Sequence, residues 1–296
     1  MQLSGLYSDA AFPRDWKADG RGRLIRRPSV MPTSNHLAEG VARLSTLVKQ
    51  EREDASLYLR GSVTLVGNPY PPRDVDVVVI LGDRSSTDIK GRGPGKSARR
   101  LSRASLEAHL GMAWGGLRSE RPGIPALDLA VYGHRAFFAP DAGLLQLITW
   151  YEGVCVAGRD VLHQWQAPEW SRETGIKLAM AQINSTETRH RGHPASSGPA
   201  CTEWLAKRVL RLAGFVSLAV GGPFSRELVR CCELVETLVP EAVSAARQLL
   251  RALQDDSLST QRAHEAWALW HSLRQRLDAA ISASQDVNNG STDVLS

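Results

Sequence analysis

Residues 75–81 read VDVVVIL, with apolar side chains at successive rather than alternate positions. A strand wetted on one face alternates polar with apolar residues, whereas an unbroken apolar run belongs to a strand covered on both faces. That segment therefore demands a layer of structure on each side of a sheet. The flanking sequence supplies the rest of such a domain. Leu37, Val41, Leu44, Leu47 and Val48 recur at helical spacing over residues 35–49, and residues 97–110 read as a second helix. Residues 55–59 form a short strand in this reading. Residues 126–132, ALDLAVY, form another, opened by Pro125 and closed by Gly133. Asp141 reads as the N-cap of a short helix through Leu144, Leu145 and Ile148, and residues 153–158 as a last strand.

After Arg159 the strand-like runs vanish. Leu205, Val209, Leu212, Phe215, Val216 and Ala219 mark one side of a helix over residues 200–220, ended by Gly221-Gly222-Pro223. Helices over 225–238 and 240–253 follow, the second entered through Pro240, which a first helical turn tolerates. Ala263, Trp267, Trp270, Leu273, Leu277 and Ile281 mark a long terminal helix, with both Trp residues as core side chains. The expected class is α/β (α+β): a mixed-sheet domain over 1–160, then an all-helical bundle over 161–284. A polar, disordered tail over 285–296 completes it. The first thirty residues, rich in Arg, Gly, Asp and Pro, show no period and are expected to pack loosely.

Composition narrows the setting. No signal-peptide core precedes Pro32, and the longest apolar run, residues 212–220, is too short to span a bilayer. Cys155, Cys201, Cys231 and Cys232 show no CxxC spacing and no nearby His cluster, so reduced thiols are expected rather than zinc or disulfides. The expectation is a cytoplasmic protein with no membrane partner. The net charge of +5 is mild, but residues 84–103 hold seven Lys and Arg against the single acid Asp88. That run reads as a solvated loop leading into a helix. Within it, GRGPGKS at 91–97 falls short of a phosphate loop because Lys90 stands where the first glycine is required. Arg189-His190-Arg191-Gly192-His193 reads as a basic loop, given Gly192 and Pro194.

The chemistry lies in three places. Leu59-Arg60-Gly61-Ser62 is a strand end running into a Gly-Ser turn. Asp74 and Asp76, eleven residues after Ser62, are two apart at the head of the buried strand, so their carboxylates project from one face. Asp128 is centred in the next strand, over residues 126–132. Carboxylates held a few ångströms apart repel unless a cation sits among them. Hard oxygen ligands of this kind suit Mg2+, which also takes substrate phosphates, and two such ions can clamp an in-line displacement at phosphorus. Gly61 permits close backbone approach, and Ser62 with the following N–H groups can bind triphosphate oxygens at a helix start.

Gly61-Ser62, Asp74-Val75-Asp76 and the later strand acid Asp128 together resemble the signature of the DNA-polymerase-β-like nucleotidyltransferase superfamily. Gly158-Arg159-Asp160 after a short strand, followed by a helical half, is similar to the layout of aminoglycoside adenylyltransferases. The stretch from Lys207 to Cys231, with Arg208, Arg211, Phe215 and Leu228, is similar to helices of that group. The resemblance implies a nucleotidyltransferase core, with Gly61 and Ser62 on the triphosphate and Asp74 and Asp76 on both metals. It puts Asp128 on the catalytic metal, near the acceptor. Two departures stand out: Arg73 occupies a position where many members carry Ser, and Asn68-Pro69-Tyr70-Pro71-Pro72 is a stiff loop that shortens the helix after Ser62. Arg73 is expected to contact a phosphate.

The activity implied is Mg2+-dependent transfer of a nucleoside monophosphate, AMP from ATP in the favoured form, to an acceptor hydroxyl. A small molecule such as an antibiotic is the favoured acceptor, with RNA or protein as alternatives. A degenerate fold that only binds is a further alternative, against which the three intact acids argue. The general base is open among Asp128, Glu173, Glu187 and Glu203.

Overall fold

The computed structural model describes residues 15–26, 35–64, 74–82, 102–139, 143–165, 169–192, 199–255 and 257–290. It divides into two compact units, one of residues 26–167 and one of residues 1–25 with 168–296.

The first unit runs α1 (Asn35–Glu51), β1 (Ser56–Arg60), a single 3-10 turn at Gly61–Thr64, then β2 (Asp74–Leu81) and α2 (Arg103–Glu120). There follow β3 (Ala126–Gly133), α3 (His134–Phe137), α4 (Leu144–Glu152) and β4 (Val154–Ala157). The strands form one mixed sheet in the order β3-β2-β1-β4, with β2 and β3 parallel and β1 antiparallel to both its neighbours. Strand parity sorts the side chains. Leu57, Leu59, Val75, Val77, Val79 and Leu81 share one core with Leu37, Val41, Leu44 and Val48 of α1 and Leu106, Leu110, Trp114 and Leu117 of α2. Their even-numbered neighbours face the other way. There Tyr58, Val78 and Ile80 are buried, α4 packs on β1, and α3 on β2 and β3. The two-sided burial read from VDVVVIL is thus realised. Asp74 and Asp76 lie on the even face, at the head of β2 where burial gives way to solvent.

Some boundaries differ from expectation. Helix α2 starts at Arg103, capped by the Ser102 hydroxyl, and runs ten residues past Leu110. Its apolar row continues through Trp114 and Leu117, while Gly111, Gly115 and Gly116 face open space, where a missing side chain forfeits no packing. Helix α4 is capped by Gly143, not by Asp141, which lies outside the described residues. Of the basic segment 84–103 only Ser102 and Arg103 are described, and the GRGPGKS stretch lies outside. The Arg103 guanidinium sits 5.5 Å from the centre of the Tyr132 ring.

The second unit is helical: α5 (Arg172–Gly192), α6 (Pro199–Ala219), α7 (Leu228–Leu238), α8 (Val243–Gln254) and α9 (Thr260–Gly290). Helix α6 touches each of the other four, which explains why so many of its residues from Leu205 to Ala219 are buried. The leading segment belongs here rather than to the sheet domain expected over 1–160. Trp16 stacks on Trp170 and meets Phe224 edge-on, and its backbone N–H donates to the Phe224 carbonyl at 2.8 Å. Arg230 adds a two-pronged pair with Asp15. Residues 15–25 are therefore fixed, against the loose packing expected of them: Trp16 and Leu24 are buried although no period announces them. Helix α5 reaches Gly192, so Arg189 and His190 are helical rather than part of a loop, with the His190 ring 4.5 Å from that of Trp267. Helix α9 runs through residues 285–290 of the expected tail, and 291–296 lie outside the description. The four cysteines are free thiols. Burial raises the pKa of Cys231 to about 12 and that of Cys232 to about 11. Among the described residues no helix is long and apolar enough to cross a membrane.

Candidate active site

Pairing register assembles the site. In the β1–β2 ladder Arg60 stands opposite Asp76, and in the β2–β3 ladder Asp76 stands opposite Asp128. Directly opposed residues share a face of the sheet, so three charged side chains line up across three neighbouring strands. Asp74, two residues before Asp76, lies on the same face beside Ala126. The three acids expected to act together thus share one patch of the even face.

Arg60, which the sequence reading named in the strand end before Gly61 but gave no role on the triphosphate or the metals, sits at its centre. Its Nη2 lies 2.9 Å from Asp76 Oδ1 and 3.9 Å from Asp128 Oδ2. The Arg60 side chain is 10% exposed and that of Asp76 19%, while Asp128 at 63% faces solvent. The signal for Arg60 was a charged residue closing an otherwise apolar strand. Its meaning emerges only once the strand pairing is known.

Burial pushes the Asp76 carboxyl up to about 6; the Arg60 charge opposes this, while the charges of Asp74 and Asp128 and a hydrogen bond with the Asp128 carboxyl reinforce it. One guanidinium is too little positive charge for this cluster.

Gly61 sits at φ +77°, a conformation that a residue with a Cβ adopts at a cost, and a Cβ there would fall 2.3 Å from Asp76 Oδ2. The glycine therefore lets the Asp76 carboxylate lie against the backbone of the turn. The turn itself is closed by the Thr64 hydroxyl donating to the Gly61 carbonyl at 2.9 Å. Ser62 is the second residue of this 3-10 turn. Arg73, expected on a phosphate, lies outside the described residues.

Gly158-Arg159-Asp160 has a different task. Asp160 accepts from Arg26 Nη1 and from the Tyr58 hydroxyl, each at 3.0 Å, and from the Leu162 N–H at 3.1 Å. The Ser56 hydroxyl donates to the Arg159 carbonyl at 2.5 Å. These residues tie the chain after β4 back onto β1. In the helical unit Glu187 pairs with Arg274, Glu203 with Lys207 at 2.7 Å, and Glu173 lies in the first turn of α5.

Among the described residues no three His, Cys, Asp or Glu side chains are arranged as a metal cage. In chemistry the patch suits a hard cation, since its acids are oxygen donors that repel one another. In geometry, one oxygen of Asp76 is already held by Arg60.

Neither a known family model nor a curated protein sequence matches the chain. In three dimensions it is similar to the crystal structure of spectinomycin adenyltransferase AAD(9) from Enterococcus faecialis with ATP and spectinomycin. The TM-score is 0.51 at 12% sequence identity, over 81% of this chain and 99% of that one. At that identity the likeness is one of fold. It agrees with the expected fold class, a mixed-sheet core followed by a helical C-terminal region.

Proposed function

We propose that the protein is a Mg2+-dependent nucleotidyltransferase that moves AMP from ATP to a hydroxyl of a small molecule. The observation that carries this reading is the register that sets Asp76 and Asp128 side by side, with Asp74 on the same face and the Gly61 turn against Asp76. The fold shared with an adenyltransferase solved with ATP and spectinomycin supports ATP as donor and a small-molecule acceptor. Asp74, Asp76 and Asp128 would hold the magnesium, which when bound supplies positive charge to the phosphates. Gly61 and Ser62 begin the turn that would receive the triphosphate, and Arg73 is assigned to a phosphate. Asp128, exposed at the edge of the patch, accepts the acceptor's hydroxyl proton. The acceptor oxygen then bonds to the α-phosphorus as the bond to pyrophosphate breaks, and pyrophosphate leaves with that electron pair. Within this reading the chain divides into a transferase domain over residues 26–167 and a helical domain that also holds residues 15–25.

The test is incubation with each of the four α-labelled nucleoside triphosphates, Mg2+ and a panel of aminocyclitol and aminoglycoside acceptors. Label from ATP should pass to an acceptor with release of pyrophosphate. A chain that transfers label from none of the four, to none of these acceptors, to RNA or to protein, is not a transferase.

A further inference from the structure

We propose that Arg60 is a resident cation of the carboxylate patch, filling one of its two cation positions so that the nucleotide-free patch binds a single divalent ion. This rests on the metal-dependent reading above and concerns what is particular to this chain.

Three observations carry it. The first is position. Arg60 Nη2 lies within 4 Å of one oxygen of Asp76 and one of Asp128, so its positive charge stands between those two carboxylates. Asp74 and Asp128, the more exposed acids of the patch, would then hold an incoming ion. The second is charge. By formal charge, three aspartates and one arginine sum to two negative charges, which a single divalent ion neutralises. A second ion would make the patch net positive. The third is the way Arg60 is held. Its side chain is almost fully buried, and among the described residues its Nε has no hydrogen-bond partner. Its place is explained by the acids, because without a cation between them Asp76 and Asp128 repel across a partly dry gap.

The experiment uses the full chain, purified in EDTA and then freed of it, with Mn2+ as probe. Titration calorimetry without nucleotide should give one Mn2+ per wild-type chain and two per Arg60→Met chain. Melting in EDTA should drop by roughly 5–10 °C in Arg60→Met, since a partner of buried charge has been removed, and Mn2+ should restore most of the loss. Arg60→Lys, which keeps the charge, should bind one ion and melt near wild type. If Arg60→Met fails to fold, the Arg60→Met/Asp76→Asn double variant decides. It removes the charge together with its closest opponent and should fold and melt in EDTA as wild type does. A wild-type chain that binds two ions would overturn the proposal, as would an Arg60→Met chain that binds one ion and melts unchanged in EDTA, or a double variant that stays unfolded. Those results leave the transferase reading standing. A wild-type chain that binds no Mn2+ and transfers no nucleotide would remove both.

Discussion

Two arginine–aspartate pairs flank β1, built from the same residue types and with opposite electrostatic outcomes. At one, Asp160 accepts three hydrogen bonds, from Arg26, Tyr58 and the Leu162 backbone. Partial burial works to raise its pKa, but the hydrogen bond and charge of Arg26, with the other donors, hold it below the usual carboxylate value. At the other, Asp76 has Arg60 and is still pushed up to about 6, because burial and two neighbouring acids outweigh one guanidinium. An acid with more donors than it needs belongs to the scaffold. An acid with fewer, set beside two other acids, is arranged for something that arrives later. The pairs also share a backbone device, since Gly61 and Gly158 both adopt φ +77°. At Gly61 a Cβ would strike the Asp76 carboxylate, and at Gly158 the Ala55 carbonyl at 2.1 Å.

The contrast is broken most directly at Asp76. Asp76→Asn keeps the shape and removes one negative charge from the patch that would hold the metal. Loss of one such ligand should cost on the order of 3–4 kcal/mol of transition-state stabilisation, a rate loss of at least about a hundredfold. The metal-free variant should melt no lower than wild type, because one of several repelling carboxylates is gone. Single-turnover transfer and melting in EDTA read the two halves. Transfer at the wild-type rate would remove Asp76 from the chemistry, and unfolding would make it an acid of the same kind as Asp160.

The glycines separate the pairs next. Gly158→Ala drives a methyl into backbone, which cannot turn aside, and should cost about 3 kcal/mol of stability without changing the rate per folded molecule. Gly61→Ala drives it into a side chain, which can. Its stability cost should be nearer 1–2 kcal/mol, but the displaced Asp76 carboxylate should lower the rate tenfold or more. Equal effects of the two substitutions on rate would erase the distinction. Asp160→Asn should be milder still. With that side chain 38% exposed, solvent already screens it, so the loss should be about 1–2 kcal/mol in denaturant melts, with transfer unaffected.

How much of this was legible in the sequence follows the range of the interactions. The apolar run of β2, its two acids and Asp128 were legible because strand parity is local and a charge inside an apolar run is conspicuous. Arg60 was in view as the residue before Gly61, but its central role was not, since that depends on standing opposite Asp76 and, through it, Asp128. The same limit hid Trp16, whose partners Trp170 and Phe224 are far away along the chain and carry no period. Helical Arg189 and His190 were misread from Gly192 and Pro194, because the packing of His190 on Trp267 outweighs weak local propensity.

The smallest expected effect is the pH dependence of metal-free stability, and it sharpens the comparison most finely because the two acids act in opposite directions. Between the ordinary aspartate value of 3.8 and about 6, folded protein keeps a proton on Asp76 that the unfolded chain has released. The folded state then binds more protons, so stability falls as pH rises through that window and levels off above it. Asp160 works the other way. Its folded pKa lies below 3.8, so its contribution is fully present above that value and is lost only as pH falls through the lowered one. The window from about pH 4 to 6 therefore belongs to Asp76. Urea melts in EDTA at pH 4.5 and 7 should show wild type losing on the order of 1–2 kcal/mol relative to Asp76→Asn across that range. Asp160→Asn should leave the same difference unchanged. Parallel curves for wild type and Asp76→Asn would mean that Asp76 titrates like an ordinary surface acid, and the two arginine–aspartate pairs would then be of one kind.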